Sequence, residues 1–257
     1  MVLLDDLIAF LNDFMGYSDD VPRIDSYLPN GLQVAGAPEI HKIATGVSAN
    51  RQLFERAVAA GAQAVLVHHG MNPPSSVHFH ADRVFTARLK YLWAHNLSLI
   101  GYHYLLDRHP QVGHNACIIR ALGGEPLEPY GKDGWGWLGE IEGGGDRDAL
   151  LAKCRDLFQG NGVYYPFGAP TVRRIVSLAG SGAPRPGDYE WLTTHAVDLF
   201  ITGEPREWNR ELCREAGISM VAGGHYNTEI IGLHELSRVI RQHFDVDIEF
   251  IDLPNEV

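Results

Sequence analysis

The chain has 257 residues, enough for one large domain or two modest ones with an ample core. Its hydrophobic content of 45% and charged content of 21% are those of an ordinary globular protein. The chain contains 21 Lys and Arg and 32 Asp and Glu, which gives a formal net charge of -11. This negative charge disfavours non-specific binding to nucleic acid or to an anionic membrane. A small phosphorylated substrate is compatible with this charge, since a local metal ion can outweigh the global field.

Cysteine usage and the amino terminus indicate a soluble cytoplasmic protein. Cys117, Cys154 and Cys213 are odd in number and form no Cys-x-x-Cys pair, which predicts buried thiols in a reducing compartment. The first residues include two aspartates and no basic region, unlike a signal peptide. No uncharged apolar stretch reaches the length of about 20 residues that a membrane-spanning helix needs.

The predicted elements of the first half alternate between helix and strand. This order predicts βαβ units, and so an α/β fold with a parallel sheet that has helices on both faces. The helix over 83–95 is predicted from its apolar residues, which are expected to face inward. They are Val84, Leu89, Leu92 and Trp93. In chain order the predictions are a helix over 3–16, a loop over 26–34, a strand over 42–48, a helix over 51–60, a strand over 65–70, a loop over 71–80, a helix over 83–95, a strand over 97–102 and a helix over 115–122.

Glycine and proline gather over residues 123–146, which predicts a domain boundary near residue 125. Strand and helix then alternate again, so residues 126–223 are predicted to form a second, inserted α/β domain. A final helix over 228–244 and a strand over 246–251 are expected to return to the first sheet and complete it. The expected metal-binding domain is therefore 1–125 plus 224–257.

The apolar run Val65–Val67 ends on two adjacent histidines, His68 and His69. Such a run reads as a strand buried on both faces, and ligands of α/β sheets bind at the carboxyl ends of strands. Taken alone, the pair is equally consistent with one histidine that caps the strand and another that faces solvent.

Two further strands end on a histidine that is followed by a carboxylate four residues later: His103 with Asp107, and His225 with Glu229. On a helix this spacing places both side chains on one face. Each pair alone is consistent with an ordinary contact on a helix surface. If the three strand ends belong to one parallel sheet, however, they converge at one rim.

Imidazoles and carboxylates without thiolates suit iron, manganese or zinc. One catalytic ion needs about three protein ligands, whereas this set offers six candidates, so the count favours two divalent ions per subunit. Glu229 or Asp107 is the candidate bridge between them. Because successive side chains of a strand diverge, His68 and His69 are expected to serve different ions.

Together with these histidine segments, three other stretches complete a resemblance: Ser26–Val34 (Ser-Tyr-Leu-Pro-Asn-Gly-Leu-Gln-Val), Ile-Thr-Gly-Glu at 201–204 and Phe-Ile-Asp-Leu-Pro-Asn at 250–255. From about residue 25 to its end the chain resembles the Nif-three-like family, whose bacterial members are also labelled GTP cyclohydrolase I type 2 homologues. The resemblance implies a two-domain α/β subunit, a dinuclear metal centre and a toroidal homohexamer.

Carried over residue by residue, the resemblance implies five metal ligands, with Glu229 as the bridge. It places His103 beside the centre, as a group that supports the ligands or carries a proton. Where relatives often have a further histidine after Glu204, this chain has Trp208 and Asn209, which puts a catalytic role of that loop in doubt. The implied ligands are His68, His69, Asp107, His225 and Glu229.

Two other features have alternative interpretations. The Ala179–Ala183 segment (Ala-Gly-Ser-Gly-Ala) follows a strand and is either a plain turn or a loop whose amides approach a phosphate. Four remaining histidines near the proposed rim are expected to be solvated or to face a substrate. They are His78, His80, His109 and His114.

Two classes of function fit these observations. The first is a metal-dependent hydrolase in which a metal-bound hydroxide attacks a small nucleotide-like or phosphorylated substrate, by GTP ring opening or by phosphoester hydrolysis. The second is a non-catalytic protein in which the centre stores, delivers or senses an ion or stabilises an assembly. Metal analysis combined with a substrate panel separates them.

Overall fold

The computed structural model describes residues 1–72, 81–160 and 162–256. The described strands are β1 (Val2–Leu3), β2 (Gly31–Val34), β3 (Glu39–Ile40), β4 (Lys42–Ser48), β5 (Ala64–His69), β6 (Ser98–Gly101), β7 (Glu125–Tyr130), β8 (Gly136–Asp146), β9 (Val163–Tyr165), β10 (Thr171–Leu178), β11 (Leu199–Thr202), β12 (Ser219–Ala222) and β13 (Asp247–Phe250). The described α-helices are α1 (Leu4–Met15), α2 (Val21–Ile24), α3 (Arg51–Ala59), α4 (Arg83–Ala94), α5 (Tyr104–Arg108), α6 (His114–Ala121), α7 (Arg147–Leu157), α8 (Tyr189–Thr194), α9 (Asn209–Ala216), α10 (His225–Thr228) and α11 (Ile231–His243).

These elements form two compact units, and the predicted α/β class is confirmed. The first unit is Met1–Leu106 with Leu233–Leu253, and the second is Asp107–Gly232 with the residues from Pro254 onward. The domain boundaries expected near residues 125 and 223 stay a prediction, because a unit defined by its internal contacts is not the same thing as a domain that folds independently.

The sheet of the first unit has the strand order β13-β4-β5-β6-β2. Its first four strands are parallel, as the βαβ pattern predicts. The closing strand β13 pairs with β4, with Ile248 opposite Ile43, so the expected completion by the last helix and strand is confirmed. Val65 and Val67 of β5 are completely buried, which explains why this strand has no alternation of polar residues.

Part of the predicted loop over 26–34 is a strand. Residues of β2 pair antiparallel with β6, with Leu32 opposite Ile100, at the edge of the sheet. The register shifts between Leu32 and Val34. Such an irregularity interrupts the two-residue repeat by which a strand is recognised, and the preceding Pro-Asn-Gly turn further masks the signal.

The inward face predicted for α4 is only partly correct. Leu92 is completely buried, whereas 62% of Val84 and 61% of Trp93 are exposed. Val84 and Trp93 are nine residues apart, about two and a half helical turns, and therefore lie on opposite sides of the helix. The face that packs on the core carries Phe85, Leu89 and Leu92.

The sheet of the second unit has the order β7-β8-β10-β11-β12-β9, with β10, β11 and β12 parallel and the outer pairs antiparallel. The segment rich in glycine and proline therefore contains two strands, β7 and β8. A Cβ on Gly139 would lie 2.8 Å from the carbonyl oxygen of Glu125 and 2.5 Å from Ile119. Glycine at this position permits the close approach of strand and helix, so it is not a sign of loop structure here.

The last predicted helix is interrupted. It comprises α10 and α11, with Glu229 between them. The three histidine-bearing strand ends also belong to two sheets: His68 and His103 follow strands of the first, and His225 follows β12 of the second. The expectation of one shared parallel sheet is therefore wrong, because strand periodicity carries no information about which sheet a strand joins.

The three cysteines are buried, as predicted. Among the described residues, no helix is both long enough and apolar enough to cross a bilayer.

Candidate metal centre

In the first unit, His68, His69 and His103 come together at the carboxyl ends of β5 and β6. These two strands are parallel neighbours, with Val67 opposite Gly101, so the residues that follow them lie at the same edge. The three rings have centroid separations of 4.5, 4.9 and 5.4 Å. One nitrogen of each ring lies within 4.8 Å of the corresponding atoms of the other two, so this trio could hold a metal ion.

The Nδ1 atoms of the trio are held by three different groups. His68 Nδ1 lies 3.0 Å from the carbonyl oxygen of Tyr102, and His103 Nδ1 lies 2.7 Å from Asp25 Oδ2. A carbonyl oxygen and a carboxylate can only accept, so both Nδ1 atoms donate and the lone pair of each neutral ring is on Nε2. His69 Nδ1 lies 3.0 Å from Ser48 Oγ, a hydroxyl that can donate or accept.

This arrangement is typical of metal-ligating histidines, whose second nitrogen is held by a carbonyl or a carboxylate. Ser48 at the end of β4 pairs with His69, and Tyr102 follows β6 directly. Asp25 lies in the segment immediately before Ser26–Val34.

In the second unit, His225 lies between two carboxylates. His225 Nδ1 is 2.5 Å from Glu204 Oε1, and His225 Nε2 is 3.2 Å from Glu229 Oε1. Glu204 follows β11 and His225 follows its parallel neighbour β12, with Thr202 opposite Ala222. The predicted four-residue pair His225 and Glu229 is thus a direct contact, and Glu229 is 3% exposed.

The two carboxylates determine the protonation of His225. Burial lowers the pKa of this imidazole, but the hydrogen bonds and negative charges of Glu229 and Glu204 outweigh burial and raise the pKa to about 9. Without an ion, His225 is therefore an imidazolium at neutral pH, and a cation bound there takes the place of its proton.

The Gly-Ser-Gly loop, residues 180–182, passes directly over this pair. Gly180 has φ +59°, and a Cβ there would lie 2.4 Å from Glu229 Oε1 and 3.0 Å from His225 Nε2. The Gly180 carbonyl accepts from the backbone N–H groups of Gly203 and Glu204, both at 2.9 Å. The Gly180 N–H donates to Thr228 Oγ1 at 3.1 Å. The loop is therefore a packed wall of the site, and glycine leaves room beside the two ligand atoms.

Asp107 is 6% exposed in the second unit, and one of its carboxylate oxygens lies within 4.8 Å of a nitrogen of His114. His114 Nδ1 accepts from the backbone N–H of Gly232 at 3.2 Å, so the proton of the neutral ring is on Nε2. A neutral His114 thus has no lone pair on Nε2 to offer a cation, in contrast to His68 and His103.

Two of the histidines expected to be solvated or to face a substrate are buried. His114 is completely buried, and His109 is 7% exposed because its Nδ1 accepts from the N–H groups of Gln111 and Val112, each at 3.2 Å. His109 holds the backbone that directly follows it and His114 holds the backbone of Gly232, roles that spacing does not reveal. His78 and His80 lie outside the described residues.

The loop after Glu204 has a structural role. Asn209 is completely buried and donates to the Pro184 carbonyl at 2.8 Å and to Tyr189 Oη at 3.1 Å. The Trp208 indole donates to the same carbonyl at 3.1 Å. In place of a further histidine, this chain thus has two residues that hold the loop to the segment before α8.

Sequence reasoning missed the groups that hold the histidines, namely Asp25, Ser48 and Glu204. Glu204 lies in the Ile-Thr-Gly-Glu segment, and its place after a buried strand beside the strand of His225 was a usable signal. No local sequence pattern pointed to Asp25 or Ser48. Asp25 is 78 residues from His103, and Ser48 is 21 residues from His69.

The comparisons with known proteins find similarity to one family along nearly the whole chain. A family model described as Duf34/NIF3 (NGG1p interacting factor 3) matches residues 2–256. Proteins named GTP cyclohydrolase 1 type 2 homolog are similar: one from Pseudomonas aeruginosa is 36% identical over 243 residues, 92% of this chain and 93% of that protein, and one from Escherichia coli is 37% identical over 245 residues, 90% and 92%.

Among solved structures, "protein ybgI, unknown function" covers 100% of both chains with a TM-score of 0.85 at 31% identity. TTHA1606 from Thermus thermophilus covers 100% of both chains with a TM-score of 0.81 at 25% identity.

Proposed function

The chain belongs to the Duf34/NIF3 family, and from this premise we propose that it is a dinuclear metal-dependent hydrolase of a small nucleotide-like or phosphorylated substrate. Two divalent ions, of iron, zinc or manganese, would be held by a five-residue set in which Glu229 is the bridge and His68 and His69 serve different ions. The set is His68, His69, Asp107, His225 and Glu229.

One observation carries the proposal: the candidate ligands are already oriented as ligands. The Nδ1 atoms of His68 and His225 donate to a carbonyl and a carboxylate, so Nε2 is the nitrogen that each ring has for a cation. Within the part of the chain that the structure describes, the groups that could hold ions contain imidazoles and carboxylates and no thiolate, a donor set suited to iron, zinc or manganese. The room that Gly180 leaves beside His225 and Glu229 fits the same purpose.

Ions bound there would supply Lewis-acid polarisation of substrate and water. The chain's own residues supply the rest. His103, with its lone pair on Nε2, is the candidate proton carrier. Ser48 and Glu204 orient His69 and His225, and the loop at Gly180 sets the space that a substrate can use.

The substrate class rests on the names of relatives and on charge. Similar proteins are named GTP cyclohydrolase 1 type 2 homolog, so ring opening of a purine nucleotide is one candidate reaction. Phosphoester hydrolysis is the other, and it requires no guanine-specific groups. A chain with a formal net charge of -11 attracts a phosphorylated substrate only where bound cations reverse the local field.

The test combines metal analysis with turnover. Protein loaded separately with iron, zinc and manganese is assayed against nucleoside triphosphates, nucleotides and simple phosphoesters. The expected result is two ions per chain and turnover of at least one phosphorylated compound. Full occupancy by two ions with no turnover across the panel would refute the enzyme and leave a non-catalytic metal-binding or interaction protein.

We propose the toroidal homohexamer as the assembly that accompanies this function, on the basis of the family resemblance. A mass of six chains by light scattering or native mass spectrometry is the expected result. A monomer or dimer at micromolar concentration would contradict it.

A further inference from the structure

One aspartate in the first unit has an unusually complete set of hydrogen bonds. Asp25 has a side chain that is 1% exposed. Its Oδ1 accepts from the backbone N–H groups of Leu28 at 3.0 Å and Tyr27 at 3.3 Å, and its Oδ2 accepts from Asn30 Nδ2 at 3.1 Å. The segment from Asp25 to Asn30 is thus wrapped around its own carboxylate.

The same carboxylate binds the turn that carries His103. Asp25 Oδ2 accepts from His103 Nδ1 at 2.7 Å and from the Tyr104 N–H at 3.2 Å. Asn30 Oδ1 accepts from the N–H groups of His103 at 2.9 Å and Leu105 at 3.1 Å. Two side chains from a distant segment therefore satisfy three consecutive backbone donors at the start of α5, where a helix leaves N–H groups unpaired.

Asp25 remains a carboxylate at ordinary pH. Burial raises its pKa, but the hydrogen bond and charge of His103 and the backbone N–H groups of Leu28 and Tyr104 outweigh burial and lower the pKa to about 2. A carboxylate only accepts hydrogen bonds, so its partner atom on His103 must carry a proton.

The ring held in this way lies beside the candidate centre. The His103 ring lies 4.9 Å from the His68 ring and 5.4 Å from the His69 ring, measured between centroids. With Nδ1 engaged by Asp25, the nitrogen of the neutral ring that can accept a proton is Nε2.

We propose that Asp25 is a positioning residue: it fixes His103 in the Nδ1–H tautomer and directs the Nε2 lone pair towards the His68–His69 pair, while Asn30 holds the backbone of the same turn. The proton-carrying role of His103 rests on the proposed function, but the tautomer does not. Asp25 acts through His103 and needs no contact with a substrate.

The test is made on the metal-free full-length protein, so that it is independent of activity. Imidazole nitrogens are labelled with ¹⁵N, and long-range proton–nitrogen spectra are recorded at increasing pH until the imidazole signals no longer change. The His103 signals are identified by their loss in His103→Gln. The expected wild-type spectrum shows a protonated Nδ1 and an unprotonated Nε2.

Two variants complete the test. Asp25→Asn removes the negative charge, and Asp25→Ala removes the acceptor, so the fraction of Nε2–H tautomer should rise to a measurable level in the first and predominate in the second. Asp20→Asn, an exposed aspartate that pairs with Arg23, should leave the spectrum unchanged. If Asp25→Ala does not fold, the wild-type and Asp25→Asn spectra are sufficient to show whether Asp25 fixes the tautomer of His103.

A wild-type Nε2–H tautomer, or an Asp25→Asn spectrum identical to that of the wild type, would overturn the inference. Turnover data separate it from the proposed function. If the tautomer shifts as expected and an active substrate is found, Asp25→Asn should lower kcat at least tenfold with unchanged ion content. If the tautomer shifts and no compound turns over, the positioning role stands and the hydrolase does not.

Discussion

The two compact units prepare their candidate ligands in opposite ways. In the first, His68 and His103 are held by acceptors at Nδ1, which leaves a lone pair on each neutral ring. In the second, His225 lies between Glu204 and Glu229 as an imidazolium whose pKa is raised to about 9. The first unit presents nitrogen atoms with a lone pair for a cation. In the second unit the nitrogen of His225 carries a proton that a cation must replace. Four experiments test this contrast.

The largest effect is expected from Glu229→Gln. The change removes the carboxylate that touches His225 Nε2 at 3.2 Å and is the proposed bridge. We expect the occupancy of both ions to fall, with at least a ~100-fold loss of affinity and of any activity, since even groups that only support ligands contribute about 10–100-fold. Metal analysis after dialysis measures this.

Glu235→Gln is the matched control, because Glu235 forms an exposed ion pair with Arg238. Loss of a single ion from Glu229→Gln would contradict the bridging role.

The second largest effect on stability and ion binding is expected from Gly180→Ala. The new methyl group would lie 2.4 Å from Glu229 Oε1, on a backbone with φ +59°, a conformation that costs a non-glycine residue about 1–3 kcal/mol. We expect a lower melting temperature and weaker ion binding by the His225–Glu229 pair. Gly187→Ala serves as the control, since nothing lies within 4 Å of a Cβ there. Equal behaviour of the two variants would show that the loop does not shape the site.

Ser48→Ala tests the first unit with a milder change. His69 loses the hydroxyl 3.0 Å from its Nδ1, while the His68 contact with Tyr102 is untouched. About tenfold weaker binding of one ion is expected, measured by titration of metal-free protein. Ser18→Ala, at an exposed position, is the control. An effect as large as that of Glu229→Gln would mean that the two units do not contribute separately.

The smallest effect is a pH dependence of stability. The pKa of Asp25 is depressed to about 2, so its contribution is fully present above the unfolded value of about 3.9 and is lost as pH falls through about 2. The difference in unfolding free energy between wild type and Asp25→Asn, from urea titrations, should therefore shrink as the pH falls below about 4. A difference that grows in acid would contradict the assignment.

Local pattern predicted two structural features of the candidate site. The uninterrupted apolar run before His68 marked a strand buried on both faces, and β5 is such a strand. The four-residue spacing of His225 and Glu229 predicted a contact that the structure contains. Both signals depend on residues close in sequence, whose geometry follows from the regular repeat of strands and helices.

The groups that orient the ligands could not be predicted in this way. Asp25 reaches His103 across 78 residues, and Ser48 reaches His69 across 21. The burial of His114 depends in the same way on the N–H of Gly232, 118 residues distant. A polar residue that binds a distant partner looks, in sequence, like any other polar residue of a loop.

The sequence by itself therefore determined the α/β class, the strand ends that carry the histidines and the membership in a family. The tertiary structure decided that those strand ends belong to two sheets, and it decided which nitrogen of each imidazole is engaged. The physical reason is that burial repeats along the chain and can be read from it, whereas the tautomer of a histidine is set by a single acceptor that the fold brings from far away.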